Sequence, residues 1–357
     1  MTYRAYKDSG NKKVVISGIG MATPIGLNAR EIYYTARAGV SRFRESRFHD
    51  KNTELIVTAT VPHDCLSWNK YTDEIVPFAG STGRLSSLYR LACADLALSL
   101  DPIIREQAFP LFLGIPERMF NRADVAQLCR TTQGLVLDEQ SIRFFAYGRA
   151  ASLIALHEAM KSLKSGQIKA AYVAGCDSYT DPGTLFNLDR SARLKSATNL
   201  DGFIPGEGAG VLLLTTEDQA RQQNWPIYAR LTASHKGFED GFFGSDAPYK
   251  GEGLAKCIRE LLTETPPKQK VAHIYSSMNG ERYWAKEWGV THIRNKENFE
   301  SDFNMHHPAE CFGDTGAACG VLLTALAALA HHERHINSEA LVYASADEGE
   351  RCAVLVA

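Results

Sequence analysis

Residues 201–214 read DGFIPGEGAGVLLL, a glycine-rich turn that leads directly into an apolar strand. The strand, predicted over 210–216, shows no alternation of polar and apolar residues, and a strand of this kind is covered by protein on both faces. Gly206 and Gly208 allow two backbone segments to approach each other closely at the turn. This stretch therefore predicts a buried sheet with other layers packed on both sides.

Strands and helices alternate on both sides of this stretch. Strands are predicted over 14–19, 110–115, 170–174, 227–234 and 271–276, helices over 29–38, 83–100, 148–165, 253–264 and 315–332, and a closing hairpin over 341–345 and 353–356. Alternation of this kind predicts an α/β fold with mostly parallel sheets. No linker rich in proline, serine or charge separates the two halves, so we expect them to pack as one unit.

The composition excludes several classes of protein. The chain has 357 residues with a net charge of −2, and it contains no basic block that would bind nucleic-acid phosphates. Its longest apolar run, 321–330, is too short to span a bilayer, and residues 1–13 lack the apolar core of a signal peptide. The 8 cysteines have no CxxC or zinc-like spacing, which is typical of reduced thiols in a cytoplasmic protein. We therefore expect a cytoplasmic protein with no nucleic-acid partner, membrane span, metal or cofactor.

Gly18-Ile19-Gly20 follows a predicted strand, as the first glycines of a dinucleotide-binding turn would. The third glycine of that pattern would fall at Thr23, and Pro24 would interrupt the helix that receives the pyrophosphate. We interpret Gly18 and Gly20 instead as a tight structural turn between a strand and a helix.

Segments in order along nearly the whole chain resemble β-ketoacyl synthases, which are members of the thiolase superfamily. They are VVISGIGMATPIGLNAREIYYTARAGVSRF (14–43), KSLKSGQIKAAYVAGCDSY (161–179), DGFIPGEGAGVLLL (201–214), GSDAPYKGEGLAKCIRELL (244–262) and FGDTGAACG (312–320). The resemblance implies a thiolase-like fold in which two duplicated βαβ-type halves, 1–222 and 223–357, form a layered α-β-α-β-α sandwich.

The resemblance also locates the family's catalytic positions, and this chain departs from the family at all of them. A synthase needs a thiolate at a helix N-terminus to carry the acyl group, together with two imidazoles that assist decarboxylation. The family's spacing puts Arg149 at the nucleophile position, and Asn279 and Asp314 at the positions of the histidines. An arginine cannot be deprotonated in a protein and cannot carry an acyl group. The resemblance therefore implies a degenerate site without condensing activity.

Five polar residues meet in the inherited pocket if this fold holds: Arg149, Asn279, Glu281, Asp314 and Glu348. The glycine-rich loop that gates the pocket in the family is replaced by DEGERC at 347–352. A cation that faces several carboxylates could bind a ligand or perform acid–base chemistry. Our preferred interpretation is a salt-bridge network that fills the pocket.

Two cysteines are further candidates for a nucleophile. Cys311 lies beside a glycine turn, with His306 or His307 as its possible base. Cys176 is the candidate if the position of the nucleophile is misassigned. Both assignments compete with the simpler interpretation of buried structural thiols.

Other residues are assigned to structural roles. His331 and His335 lie one helical turn apart, a spacing that could bind a metal, but we prefer a solvated helix end whose dipole favours cations. Glu207, Gly313 and Gly316 belong to turns that shape the backbone.

We consider two classes of function. In the first, the chain is a non-catalytic thiolase-fold subunit that forms a homodimer or heterodimer through the thiolase-type interface. MNGERYWAKEWG (278–289) and HPAECFGDTGAACG (307–320) resemble short synthase-like proteins of bacterial type VI secretion clusters. That resemblance implies an accessory or chaperone-like role in effector loading, with a secretion effector or adaptor as partner. The alternative resemblance, to chain-length factors, implies an active ketosynthase as partner.

The second class is an enzyme. An acyltransferase could keep the acyl pocket and act through Asp314, Glu281 or a cysteine such as Cys311. An open apolar tunnel would favour this alternative, and a pocket closed by ion pairs would favour the non-catalytic subunit.

Overall fold

The computed structural model describes residues 12–69, 74–75, 80–119 and 127–357 of the chain. Its strands are β1 (Val14–Ala22), β2 (Phe43–His49), β3 (Leu55–Ala59), β4 (Trp68–Asn69), β5 (Glu74–Ile75), β6 (Ala108–Gly114), β7 (Val136–Phe145), β8 (Ala170–Ser178), β9 (Glu207–Thr216), β10 (Ala229–Phe238), β11 (Val271–Ser276), β12 (Phe299–His306), β13 (Ala340–Ser345) and β14 (Glu350–Val356). Its α-helices are α1 (Ala29–Arg37), α2 (His63–Ser67), α3 (Gly80–Ser99), α4 (Pro102–Arg105), α5 (Ala151–Lys164), α6 (Pro182–Arg190), α7 (Glu217–Gln222), α8 (Gly253–Glu264), α9 (Arg282–Asn295), α10 (Ala309–Phe312) and α11 (Cys319–His332). Residues 127–130 are also helical.

The main sheet has ten strands in the order β12-β11-β13-β14-β10-β1-β9-β8-β6-β7. The order consists of two sets of five strands, which read β12-β11-β13-β14-β10 and β7-β6-β8-β9-β1 from the outer edge inward. When the strands of each set are numbered along the chain, both sets have the same order: third, second, fourth, fifth and first. β1 and β10, the first strand of each set, pair antiparallel and join the two sets at Val14↔Leu231 and Ile16↔Ala229. The predicted boundary between residues 222 and 223 lies between α7 and β10, and it stays a prediction.

α5 and α11 lie between the two strand sets and form the middle layer. α5 packs on β6 and β8 of the first set and on β10 and β14 of the second, and α11 packs on β9 and β13. α3 covers the other face of the first set, and α8, with α9 beside it, covers the other face of the second. The molecule is therefore the expected α-β-α-β-α sandwich.

The sequence of α11 explains its central place. All of its residues from Cys319 to Ala330 are buried, because a helix that is apolar around its whole circumference needs cover on every side. α11 has 14 residues. In the part of the chain that the structure describes, no helix is both long and apolar enough to cross a membrane.

The sheet is mixed, so the prediction of mostly parallel sheets is wrong. β9 runs antiparallel to β1 and β8, and β14 runs antiparallel to β10 and β13. The connection from β13 to β14 spans only residues 346–349, and strands joined by so short a turn pair antiparallel. Parallel pairing joins β6 to β7 and β8, and β11 to β12 and β13.

Gly18 and Gly20 lie inside β1, not in a turn that follows it, so the predicted turn is corrected. A Cβ atom on Gly20 would overlap the carbonyl oxygen of Ala92 in α3. α3 therefore crosses the strand so closely that a side chain at position 20 would push the helix away. These glycines serve helix–strand packing.

The helices predicted over 148–165 and 315–332 each begin with a 3-10 turn. Gly148–Ala150 precedes α5, and Gly316–Ala318 precedes α11. Both turns open on a glycine with positive φ, 45° at Gly148 and 48° at Gly316, a conformation that favours glycine. The two turns contact each other at one end of the middle layer, and this end holds the candidate site.

Candidate functional site

Arg149 lies in the 3-10 turn that leads into α5, and its side chain is buried, with only 3% exposed. The free amides at the start of a helix carry a partial positive charge, so a cation at this place is unfavourable by itself. Removal of the guanidinium group from water adds a further cost. Negative partners must offset both effects.

Two carboxylates and a carbonyl oxygen bind the Arg149 guanidinium group. Its Nη1 donates to Oδ2 of Asp314 at 2.9 Å, and its Nη2 donates to Oδ1 of Asp347 at 2.6 Å. Its Nε donates to the carbonyl oxygen of Ser345 at 3.1 Å. The centre of the Trp284 ring lies 4.1 Å from the guanidinium carbon, within cation–π range. All three nitrogens of the group therefore have a partner.

A second guanidinium group, that of Arg193, lies beside the first. Its Nε and Nη2 each donate to one carboxylate oxygen of Glu281 at 2.7 Å, which is the bidentate geometry of strong arginine–carboxylate pairs. Its Nη1 donates to Oδ2 of Asp347, whose other oxygen binds Arg149. The ring centre of Phe243 lies 4.4 Å from the Arg193 guanidinium carbon. Asp347 thus bridges the two arginines.

Asn279 and Trp284 connect the carboxylates to each other. Nδ2 of Asn279 donates to Oδ2 of Asp314 at 2.8 Å and to Oε2 of Glu281 at 3.0 Å. Nε1 of Trp284 donates to the same oxygen of Glu281 at 2.9 Å. The backbone N–H of Gly316 donates to Oδ1 of Asp314 at 2.9 Å. We refer to Arg149, Arg193, Asn279, Glu281, Trp284, Asp314 and Asp347 as the arginine cluster.

The pKa values in the arginine cluster reflect mutual stabilisation of charge. Burial by itself would lower the pKa of Arg149, but the carboxylates of Asp347, Asp314 and Glu281 outweigh it and raise that pKa. Burial would also lower the pKa of Arg193, and Glu281 and Asp347 raise it. Burial would raise the pKa of Glu281 and Asp347, and the two guanidinium groups lower both. These four side chains are therefore charged at neutral pH.

The cavities next to the arginine cluster differ in size. The cavity next to Asp314 measures about 10 Å³, which is room for one water molecule at most. A cavity of about 300 Å³ is lined in part by Asn279 and Glu281. A larger, mostly apolar cavity of about 1270 Å³ lies beside β7, and its wall reaches Tyr147 but includes no member of the cluster.

The arginine cluster combines guanidinium, carboxylate, amide and indole groups, and it contains no thiol or imidazole. Cys319 lines the small cavity next to Asp314. Burial raises the pKa of the Cys319 thiol, and Asp314 raises it further. This thiol therefore stays protonated and is a poor nucleophile.

Four predicted pocket residues meet in the cluster: Arg149, Asn279, Glu281 and Asp314. Glu348 does not join them, because it is exposed and makes no ion pair with any described residue. Its neighbour Asp347 takes that place. The two residues occupy a tight turn between β13 and β14, where successive side chains point in different directions, so the prediction missed the inward position by one residue.

Among the described residues, no basic side chain is hydrogen-bonded to the Cys311 thiol. Its buried thiol lies 3.8 Å from the carbonyl oxygen of Ala36. Nε2 of His306 faces Nδ1 of His273 at 3.4 Å, and within the described ranges neither His306 nor His307 binds the thiol. Burial raises the pKa of Cys311. The geometry gives no support to this residue as a nucleophile.

His331 and His335 face different partners. Nε2 of His331 lies 3.1 Å from the carbonyl oxygen of Val356, and Nδ1 of His335 lies 2.6 Å from the Tyr33 hydroxyl. Over the described residues, no three side chains of the metal-binding types come together. Cys176 lies within β8, and its side chain belongs to the core cluster that includes α3. Burial raises its pKa well above the ordinary value.

Glu207 connects neighbouring segments at the start of β9. Its carboxylate accepts hydrogen bonds from Nε of Arg84 at 2.6 Å and from the backbone N–H of Val61 at 2.7 Å. The backbone N–H of Gly206 donates to the carbonyl oxygen of Asp314 at 2.9 Å, so this turn contacts the segment that carries Asp314. The remaining turn glycines lie against packed backbone or side chains: Gly208, Gly313 and Gly316.

Sequence reasoning missed Arg193. It lies in the loop between α6 and β9, and its partner Glu281 is 88 positions further along the chain. A loop arginine carries no local signal of such a partner. The resemblance could not supply one, since none of the segments that carry it includes this residue.

Residues 148–220 match the family model of the β-ketoacyl synthase N-terminal domain. The matched stretch begins at the turn that carries Arg149 and continues through β9. This part of the chain is therefore similar in sequence to ketosynthases.

Two polyketide synthase proteins are similar to shorter stretches of the chain. The spectinabilin polyketide synthase system protein NorC of Streptomyces orinoci is 31% identical over 123 residues, which cover 32% of this chain and 5% of NorC. The pikromycin polyketide synthase component PikAIII of Streptomyces venezuelae is 28% identical over 184 residues, which cover 48% of this chain and 12% of PikAIII. The chain thus spans only a small part of the length of these relatives.

Solved ketosynthase structures share the whole fold. The ketosynthase from module 6 of the bacillaene synthase of Bacillus subtilis 168 has a TM-score of 0.79 at 15% identity, over 96% of this chain and 72% of that chain. The ishigamide ketosynthase/chain length factor has a TM-score of 0.79 at 16% identity, over 97% of this chain and 99% of that chain. The fold is therefore the thiolase-like ketosynthase fold, as expected.

Proposed function

We propose that this chain is a catalytically degenerate β-ketoacyl synthase-like protein that works by association with a protein partner. The observation that carries the proposal is the pairing of Arg149, at the position predicted for the nucleophile, with Asp314 and Asp347. A guanidinium group does not lose its proton at physiological pH and forms no thioester. Asn279 and Asp314, at the positions predicted for imidazoles, are bound within the same cluster.

The arginine cluster also opposes entry of a substrate. An acyl thioester that reached position 149 would have to displace the Asp314 or Asp347 carboxylate from the guanidinium group. Removal of one partner from a buried ion pair, such as that of Arg149 with Asp314, costs about 3–5 kcal/mol. An uncharged acyl group has no charge that would replace the carboxylate, so this cost would not be recovered for such a substrate.

Incubation with malonyl- and acyl-thioesters, followed by intact-mass measurement, tests the absence of catalysis. We expect no covalent adduct and no condensation product, while an active ketosynthase assayed in parallel gives both. The acyltransferase alternative predicts an adduct that disappears in Cys311→Ser or Asp314→Asn. An adduct removed by either variant would overturn the non-catalytic role.

The edge of the sheet at β7 supports association. β7 is the terminal strand in the sheet order of the described residues, so one side of its backbone pairs with no described strand. Val136 and Phe144 on β7, and Tyr147 just after it, are 44%, 45% and 40% exposed. The cavity of about 1270 Å³ opens beside these side chains. We propose that the thiolase-type interface forms here, with a second copy of the chain or with a different protein.

Two partner classes fit this proposal. The first is an active ketosynthase, which the likeness to the ishigamide ketosynthase/chain length factor supports. The second is a secretion effector or adaptor, for which the chain would act in an accessory or chaperone-like way during type VI effector loading. Residues 278–289 and 307–320, which resemble proteins of such clusters, support the second class.

The variant Phe144→Glu tests the interface. We expect the unmodified chain to form a dimer in light scattering, or to retain its partner in a pull-down from the native host, and Phe144→Glu to lose that association. Ile293→Glu is the matched control, because Ile293 is 72% exposed on α9, away from β7. A monomeric chain that recovers neither a ketosynthase nor a secretion protein would contradict the proposal.

The proposal extends to domain organisation and location. The repeated strand order supports a division into halves at 1–222 and 223–357. All 8 cysteines are free thiols, which is typical of a reducing compartment and supports a cytoplasmic location.

A further inference from the structure

A cavity of about 740 Å³ lies where α5 and α11 end. The arginine cluster lies where the same two helices begin, and the 14 residues of α5 separate the two sites by about 20 Å. The residues just before β1 and the start of β10 form part of the cavity wall, together with Lys164, His331 and Ala357. Residues of segments 265–269 and 337–339 complete it. The volume is that of a typical small-molecule site.

Lysines dominate the charge of this cavity. Four lysines line it: Lys12, Lys13, Lys164 and Lys268. Across the described residues, the lysines that form ion pairs are three others: Lys161, Lys236 and Lys256. Arg230 also lines the cavity, but it is already paired with Glu217 at 2.8 Å. The one carboxylate side chain in the wall, Glu339, accepts a backbone hydrogen bond from Lys268 at 3.1 Å.

Lys164 forms no ion pair with any described residue. Its half-buried ammonium group donates to the carbonyl oxygen of Thr232 at 3.4 Å, a long hydrogen bond to an uncharged acceptor. Burial lowers the pKa of Lys164, and the carboxylate of Glu264 offsets only part of that effect. An anion in the cavity would supply the missing negative charge.

Helix dipoles account for the positions of only two of the four lysines. Lysines near the last turn of a helix stabilise its negative end. Lys164 is in that turn of α5, and Nζ of Lys12 lies 2.8 Å from the place where a Cβ on Gly166 would stand, just beyond the helix. The dipole effect falls off within one turn, so it does not account for Lys13, which precedes β1, or for Lys268, which lies four residues beyond α8.

We propose that this cavity binds a small anion with two or more phosphate groups. Ammonium groups bind phosphate as point charges, and several of them are needed to neutralise a polyphosphate. Uncharged hydrogen-bonding side chains complete the wall: Thr232, Thr265, Gln269, Asn337 and Ser338. Among the described residues that line the cavity there is no Phe, Tyr or Trp to stack on a nucleobase, which favours an inorganic or polyol phosphate over a nucleotide.

Calorimetric titration with pyrophosphate and with inositol hexakisphosphate, at 0.15 M salt, tests the proposal. We expect saturable binding of at least one probe. The double variant Lys13→Gln/Lys268→Gln should weaken it about tenfold or more, because two charge-assisted contacts are lost. The single variants should fall in between. The inference is independent of the non-catalytic role, so it stands or fails without the acyl-thioester assay.

The control is Lys161→Gln/Lys256→Gln. It removes the same charge from lysines that are 63% and 70% exposed and lie outside the cavity. We expect this variant to bind within about twofold of the unmodified chain, since only non-specific attraction changes. Equal weakening in both double variants, no saturable binding, or tighter binding of hexaglutamate than of either phosphate probe would overturn the proposal.

Discussion

Arg149 sits at a place where both the helix dipole and burial disfavour a cation, and three carboxylates in one network offset those effects. A buried charge of this kind depends on its partners more than an exposed one does. The loss of one member leaves its partners with fewer opposite charges while they remain buried or partly buried. The cluster is therefore sensitive to single substitutions.

The variant Arg149→Met should lower the free energy of unfolding by about 3–5 kcal/mol, because buried Asp314 loses its cation and Asp347 keeps only Arg193. Urea unfolding followed by circular dichroism measures the change. Lys161→Met, at a site that is 63% exposed, is the control and should change stability by less than about 0.5 kcal/mol.

The double variant Arg149→Met/Asp314→Asn refines this prediction. If the two side chains act as a pair, removal of the Asp314 charge recovers part of the stability lost in Arg149→Met, so the two single effects are not additive. Strict additivity would show that the Arg149–Asp314 contact of 2.9 Å carries no coupling energy and that the two side chains do not act as a pair.

The carboxylates of Glu281 and Asp347 make the stability of the arginine cluster sensitive to low pH. The pKa values of Glu281 and Asp347 are lowered in the folded chain, so the unfolded chain binds more protons as the pH falls through the ordinary carboxyl range. Their contribution to stability is present above about pH 4 and is lost below it. Asp347→Asn should reduce this acid dependence, measured as the urea midpoint between pH 6 and pH 3. An unchanged pH profile would contradict the role of Asp347.

At the scale of elements, the turn between β13 and β14 places Asp347 inward and a group of acids around it. Glu117, just beyond β6, faces this turn. Burial raises the pKa of Glu117 to about 7, with further contributions from Glu348, Asp347 and Glu350. Between the ordinary pKa of a glutamate and about pH 7, Glu117 is protonated in the folded chain and ionised in the unfolded chain. Stability therefore falls as the pH rises through this window.

Glu117→Gln should therefore stabilise the chain at pH 8 and have little effect at pH 5, because glutamine is never ionised. Urea midpoints at the two pH values measure the difference. Glu297→Gln, an exposed position, is the control and should show no such pH dependence. Equal effects of Glu117→Gln at both pH values would show that the repulsion from the turn is absent.

At the scale of the whole molecule, the two strand sets share one middle layer. α5 comes from the first predicted half and α11 from the second, yet both belong to a single core cluster with strands of both sets. Neither half can bury its own middle helix without the other. The pairing of β1 with β10 adds a backbone connection between them.

Residues 1–222 and 223–357 produced separately should therefore fail to fold, because α5 or α11 would expose a large apolar surface. Near-UV circular dichroism and dye binding report the loss of fixed packing. The full chain should unfold in one cooperative transition by both near- and far-UV signals. A cooperative transition in either isolated half would contradict a shared core.

Much of this architecture could be predicted from the sequence. The apolar runs around Val14, Ala170 and Gly210 and the periodic helix before Gly166 reflect local burial, which determines the local pattern of residues. α8 and β11 were predicted with their observed bounds. The predicted closing hairpin gave the antiparallel pairing of β14 with β13. The direction of β9 was not predicted, because strand direction depends on which strands become neighbours.

The sequence by itself determined the strand–helix order, the glycine positions where segments approach closely, and the presence of a permanent cation where the resemblance implies a thiol. Only the tertiary structure decided that Arg193 joins Arg149, that Asp347 rather than Glu348 lies between them, and that four lysines surround one cavity. The physical reason is one of distance along the chain. Periodicity and turn chemistry act over a few residues, whereas ion pairs such as Arg149 with Asp314, 165 positions apart, form only after whole layers have packed.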